Sequence, residues 1–211
     1  MIVGCWYRRD VVDAVVQPES DGRRARRERN RIAVVDAMFE LLTEGGLPPS
    51  VDDIAERAQV SVSSIFRYFD NLDDLQRQTI DRYFERFAPL FEIPGTGVDL
   101  DDRIAALVDA RLTLYEAIAP IARLARVRAN DHPLIAATLA ETRRLQSDQL
   151  QSHFAPDLVG LTRAEADDRV DCVDALTAFE AWDLLQGTHR RSRPRVRRAW
   201  FTGLRAVLTP T

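Results

Sequence analysis

The chain has 211 residues, 45 % of them hydrophobic and 29 % charged, with a formal net charge of −4. That balance excludes a disordered chain or a collagenous fibre, and no apolar run approaches the ~18–20 residues of a membrane-spanning helix. Two cysteines, Cys5 and Cys172, are too few for a disulfide framework or a zinc site. The apolar start Met1-Ile2-Val3-Gly4-Cys5-Trp6 is too short for a signal-peptide core. The expectation is a reduced, soluble, cytoplasmic protein with no metal, no cofactor and no membrane contact.

Residues 1–22 show no clean period and end in the turn-rich Gln17-Pro18-Glu19-Ser20-Asp21-Gly22. They read as a disordered extension with a short helix around Asp10 to Val16. From Arg27 the pattern becomes helical: Ile32, Val35, Phe39 and Leu42 form one apolar stripe, which Gly45-Gly46 stops. Ser50 caps a second helix from Val51 to about Ala58, with Asp52 and Asp53 at its positive end. Gln59-Val60 is the turn before a third helix, capped by Ser61 and running to about Phe69. Asn71-Leu72-Asp73-Asp74 opens a fourth, with Leu75, Tyr83, Phe84 and Phe87 on its apolar side and an end near Ala88-Pro89. The loop Pro94-Gly95-Thr96-Gly97 marks a domain boundary.

Beyond it, Asp99 opens a long helix to Ala119, and Pro120 bends or restarts it toward Val127. Asp131-His132-Pro133 opens another, to about Phe154. Thr162-Arg163-Ala164-Glu165 is a capping box for a helix ending at Gln186-Gly187. Ser192-Arg193-Pro194 starts the last, with Trp200, Leu204 and Val207 at helical spacing. Nothing alternates with period two, so the fold class is all-α, with about nine helices. An N-terminal three-helix domain of the helix-turn-helix kind, with a linking fourth helix, covers 23–94; a larger helical domain covers 95–211.

Charge is distributed unevenly. Every one of the 29 basic residues is arginine. Six arginines against Glu28 give +5 between Arg23 and Arg31, and seven without an acid give +7 between Arg190 and Arg205. Such runs form solvated faces, flexible arms or surfaces that meet phosphates, and position decides which.

The second and third helices have the lengths and the tight turn of a helix-turn-helix unit. Ile54, Ala58, Val60 and Ile65 supply its buried contacts, and Ala55 is small where the helix axes approach. The third helix would present Ser61, Val62, Ser63 and Ser64 to a DNA groove, with Arg67 and Tyr68 reaching phosphates further along. The spacing alone also fits any tight helical hairpin.

The run from Arg31 to Leu75 resembles the DNA-binding domain of the TetR family of bacterial transcriptional regulators. The resemblance rests on Gly45-Gly46, Ser50, Ile54-Ala55, Ala58-Gln59-Val60-Ser61, Ile65-Phe66-Arg67-Tyr68-Phe69, Leu72 and Leu75. It implies DNA contacts from Ser50, Ser61, Val62, Ser63, Ser64, Phe66, Arg67 and Tyr68. Three positions depart from the pattern. Gln59 stands where the family has glycine, at a turn that favours positive φ. Phe66 replaces a tyrosine and Leu72 a lysine, each of which the family directs at phosphate. Arg24, Arg27 and Arg31 of the basic run are the substitutes nearest to hand.

The resemblance also implies a small-molecule pocket in the larger domain and a homodimer built from the last two helices. Arg111, Tyr115, Leu124, Leu139 and Trp182 are the pocket candidates. Leu176, Phe179, Asp183, Leu184, Trp200 and Leu204 are the dimer candidates, for they repeat on helical faces suited to a four-helix bundle. These faces would equally pack a monomer core.

No phosphate loop, nucleophile elbow, H-E-x-x-H or paired-cysteine motif occurs, so no catalytic residue is assigned and an enzyme is not expected. The expected function is a ligand-responsive transcriptional regulator, a repressor, with a double-stranded DNA operator and a small-molecule effector of unknown identity as partners. The rival is a dimeric helical small-molecule-binding protein with a weakened DNA-binding head.

Overall fold

A computed structural model describes residues 21–44, 48–95 and 99–209. Among these residues the chain is helical, with no strand: α1 is Asp21–Glu44, α2 Val51–Arg57, α3 Val62–Tyr68, α4 Leu72–Phe91 and α5 Leu100–Arg128. Then come α6 Pro133–His153, a 3-10 turn at Ala155–Leu158, α7 Arg163–Thr177 and α8 Phe179–Trp182. A π-helical turn, Asp183–Thr188, and α9, Arg193–Leu208, complete the order. The helix expected near Asp10 to Val16 and the Gly45-Gly46 stop lie outside the described residues. Among the described residues no helix is long and apolar enough to cross a membrane.

The chain forms two compact units. One holds the described residues up to Ala88 together with Pro120–Arg128; the other holds Pro89–Ala119 and the residues from Ala129 on.

In the first unit, α1, α2 and α3 close on a core of Val34, Val35, Ala37, Ile54, Ala55, Ile65, Phe69 and Leu75. The buried side of α1 differs from the expected stripe: Ile32 is 51 % exposed, while Val34 and Ala37 turn inward beside Val35. A stripe drawn from the largest side chains is pulled off the true face when small residues line the contact. Helix α1 also starts at Asp21, ahead of Arg27, so the basic run is helical and not an arm. Arginine and alanine are strong helix formers, so these solvated turns extend the packed half of α1 without an apolar period of their own. Arg57 clamps α2 to the end of α1, its Nη1 and Nη2 donating to Glu44 at 2.7 and 3.0 Å. Arg82 of α4 donates to Asp36 of α1 at 2.8 Å, and the Phe39 and Phe87 rings lie 6.0 Å apart.

Two prolines expected to end, bend or restart helices do not interrupt them. Helix α4 continues past Pro89 to Phe91, and α5 runs unbroken through Pro120. A proline removes one ladder hydrogen bond, but its fixed φ suits a helix, and packed turns on both sides carry the helix across.

The second unit is built on Ile104, Leu107, Val108, Leu112, Leu150, Phe154, Val173 and Leu204, all fully buried. The single helix expected from Thr162 to Gln186 is instead interrupted. Ala178 is extended (φ −63°, ψ 157°), and the Thr177 carbonyl accepts the Tyr115 hydroxyl at 2.8 Å. That tertiary bond satisfies an acceptor at the helix end and re-aims α8. The expected capping box is present, Thr162 and Glu165 bonding reciprocally. The arginines of α9 meet the acids of α5. Arg193 pairs with Glu116, Arg197 with Asp109 at 2.8 Å and Arg205 with Asp101 at 3.3 Å. Three of the seven arginines of the more basic run thus form an antiparallel ion-pair ladder inside the unit, while Arg190, Arg191, Arg195 and Arg198 are exposed.

Candidate nucleic-acid interface

Local chemistry sets α2 and α3. Ser50 caps α2 in a capping box: its N–H and hydroxyl both donate to Asp53 Oδ2, at 2.8 and 2.6 Å, and its Oγ accepts from the Asp53 N–H. These bonds hold the Asp53 carboxyl below the usual aspartate range. At the other end of α2, Val60 N–H donates to Ala55 O at 3.0 Å and Gln59 N–H to Glu56 O at 3.1 Å. This is a Schellman closure, with Gln59 at the left-handed position, φ +54°. The positive φ expected at Gln59 is there, carried by a residue with a Cβ.

Ser61 caps α3, its Oγ accepting from the Ser64 N–H at 3.2 Å and lying 3.0 and 2.9 Å from the hydroxyls of Ser63 and Ser64. Ile65 and Phe69 anchor α3 in the core. The other side of the helix carries Ser63, Phe66 and Arg67, all exposed, with Val62, Ser64 and Tyr68 half-buried. Phe66 is 58 % exposed, and Leu72, at the start of α4, is 45 % exposed.

Helix α1 braces the far end of α3. Arg27 Nη2 donates to the Arg67 carbonyl at 2.9 Å, a cation at the negative helix end. Asn30 Nδ2 donates to the Tyr68 hydroxyl at 3.1 Å, and that bond is the main reason the phenol sits below its ordinary range. The Arg31 guanidinium lies 5.7 Å from the Phe69 ring centre and pairs with Glu28 at 3.5 Å. Arg67 reaches back to Ser64 Oγ at 3.1 Å. Arg24 is exposed on α1. Arg27 and Arg31 thus have intramolecular work, whereas Ser63, Phe66 and Arg24 face solvent. Asn30 carries no signal in the sequence: an asparagine among arginines gains its meaning only when the fold sets it beside Tyr68.

Of the pocket candidates, Arg111, Tyr115 and Trp182 are buried and Leu139 is half-buried, all in the second unit; Leu124 falls in the first. The Tyr115 ring lies 5.4, 6.1 and 6.4 Å from Phe179, Trp182 and Trp200. Of the dimer candidates, Phe179, Trp200 and Leu204 are buried in the interior of the protomer. Their helical spacing follows the protomer's own core. Leu176, Leu184 and the half-buried Asp183 retain surface.

The short α2, the glutamine-centred turn and the half-exposed α3 define a helix-turn-helix domain. Residues 34–79 match the model of the family described as bacterial regulatory proteins, tetR family, and this part of the chain is a TetR-family domain. The whole fold is similar to solved structures. A TetR-family transcriptional regulator from Streptomyces coelicolor superposes with a TM-score of 0.68 at 20 % identity, over 85 % of this chain and 80 % of that one. A protein described as a transcriptional regulator from Streptomyces coelicolor A3(2) gives 0.63 at 22 %, over 86 % and 99 %. One described as a TetR-family regulator from Rhodococcus sp. gives 0.59 at 17 %, over 85 % and 99 %. No curated protein matches the chain in sequence.

Proposed function

We propose that the chain is a ligand-responsive transcriptional repressor, a homodimer that binds a palindromic operator and is released by a small molecule. The observation that carries this reading is α3 itself. Ile65 and Phe69 fix it from behind, and Ser63, Phe66 and Arg67 are left to solvent at its front. In a helix-turn-helix unit that front enters the major groove while the preceding helix crosses the backbone. The exposed arginines of α1 add charge for phosphates, the sequence-independent share of affinity. The similarity to three helical regulators supports a larger domain given to effector binding and assembly. An effector releases DNA only if it binds the DNA-free form better, and DNA must then weaken effector binding by the same factor.

Fluorescence anisotropy with labelled DNA from upstream of the protein's own gene, against random DNA of equal length, tests the proposal. Specific binding about a thousandfold tighter than random is expected. The rival, a dimeric ligand-binding protein with a weakened head, draws on exposed Phe66 and Leu72, which lack hydroxyl and charge, and on the Tyr68 hydroxyl bound to Asn30. Equal binding to both DNAs selects the rival.

A further inference from the structure

We propose that the small-molecule effector carries a carboxylate and that Arg111 of α5 receives it through the Nε–Nη2 edge of its guanidinium. The inference rests on the effector reading above and names the effector's chemistry.

Arg111 is 3 % exposed, and neither Nε nor Nη2 meets an acceptor among the described residues. An arginine keeps its proton in a protein, so this is a permanent charge inside the helical unit. Buried charges are ordinarily paired. Three other arginines show what this edge takes. Arg103 Nε and Nη2 donate to the Asp157 carboxylate at 2.7 and 2.5 Å. Arg197 does the same to Asp109 at 2.8 and 2.9 Å, and Arg144 to Glu141 at 2.9 and 2.8 Å. The two N–H groups form a fork that matches two carboxylate oxygens. Arg111 presents that fork without a carboxylate of the described residues on it.

Asp174 of α7 does not serve as the partner. It makes no ion pair with Arg111 within 4 Å among the described residues. Burial holds its carboxyl above the usual aspartate range, although the charge of Arg111 pulls the other way. Tyr115, four residues on, shares a face of α5 with Arg111. Its hydroxyl is committed to the Thr177 carbonyl, and its ring packs with Phe179 and Trp182 as an apolar surface. A charged head with an apolar body suits that pairing.

The test uses the full chain and a panel of paired probes at millimolar concentration: octanoate with octanamide, phenylacetate with phenylacetamide, benzoate with benzamide. Melting temperature and tryptophan fluorescence report binding; anisotropy of bound DNA reports release. At least one carboxylate is expected to bind, its amide about tenfold or more weakly, and Arg111→Gln to erase the difference. Arg111→Met, without any probe, should raise the melting temperature, because it removes a buried charge and keeps the volume. Lower stability in Arg111→Met, no Arg111-dependent carboxylate binding across the panel, or equal binding of acid and amide overturns the proposal. A carboxylate that binds through Arg111 but leaves DNA bound refutes the effector reading and spares the site. A neutral compound that releases DNA from wild type and Arg111→Gln alike does the reverse.

Discussion

Gln59 holds a left-handed backbone at φ +54° between α2 and α3. A residue with a Cβ gives up about 1 kcal/mol there relative to glycine, less the entropy that glycine loses on folding. Gln59→Gly should therefore stabilise the first unit by about 0.5 kcal/mol, and Gln59→Val should destabilise it. Urea midpoints of the two variants check this, and a glycine variant less stable than wild type would mean that the glutamine side chain makes a compensating contact. His153 gives a second residue-scale expectation. Its Nε2 meets the Arg103 carbonyl at 2.9 Å, and burial pushes its imidazole below the ordinary value. The unfolded chain therefore binds more protons than the folded one between the depressed value and about pH 6.5. Stability from this site is full above that range and lost as pH falls through it. The urea midpoint should drop between neutral and mildly acid pH, and His153→Gln should flatten the drop. An unchanged pH slope in that variant would place the titration elsewhere.

Helix ends are legible in the sequence where local chemistry makes them: Ser50, Ser61 and Thr162 cap as their side chains dictate. Helix interruptions are not, because tertiary bonds decide them. The break at Ala178 depends on the Tyr115 hydroxyl, sixty-two residues from the carbonyl it meets, and α5 passes through Pro120 on the strength of its flanking turns. The same divide runs through the basic runs. Arg193, Arg197 and Arg205 neutralise Glu116, Asp109 and Asp101, while Arg190, Arg191, Arg195 and Arg198, like much of the run on α1, stay exposed. DNA binding should report this element by element. Arg24→Ala should weaken specific and random DNA alike and flatten the log–log salt slope by about 0.9 for each phosphate it no longer neutralises. Leu72→Lys should steepen the slope by a similar amount per subunit. Ser63→Ala should change sequence preference with little effect on slope, since base contacts specify and phosphate contacts position. A salt slope untouched by Arg24→Ala would mean that the exposed turns of α1 stand clear of the duplex.

At the scale of the whole molecule, the proposed homodimer on a palindrome requires two recognition helices about 34–36 Å apart, so on that reading assembly and DNA affinity are one property. Burial decides which residues can report on it. A charge at Trp200 or Leu204 would be driven into the interior of the protomer and would unfold it, so loss of DNA binding there would say nothing about assembly. Leu184 is 50 % exposed and Leu176 38 % exposed, and a large apolar side chain left on the surface of a protomer is a candidate for burial by a second copy. Leu184→Glu and Leu176→Glu should therefore leave the melting of the protomer nearly unchanged and shift the protein to monomers in light scattering. Affinity for a palindromic operator should fall steeply, because each half-site must then be bound alone. Affinity for random DNA should fall much less, since the arginines of α1 act within each head. A monomeric variant that binds the palindrome as tightly as wild type would show that a single head supplies the whole of the affinity; a variant that remains dimeric would move the interface away from these two leucines.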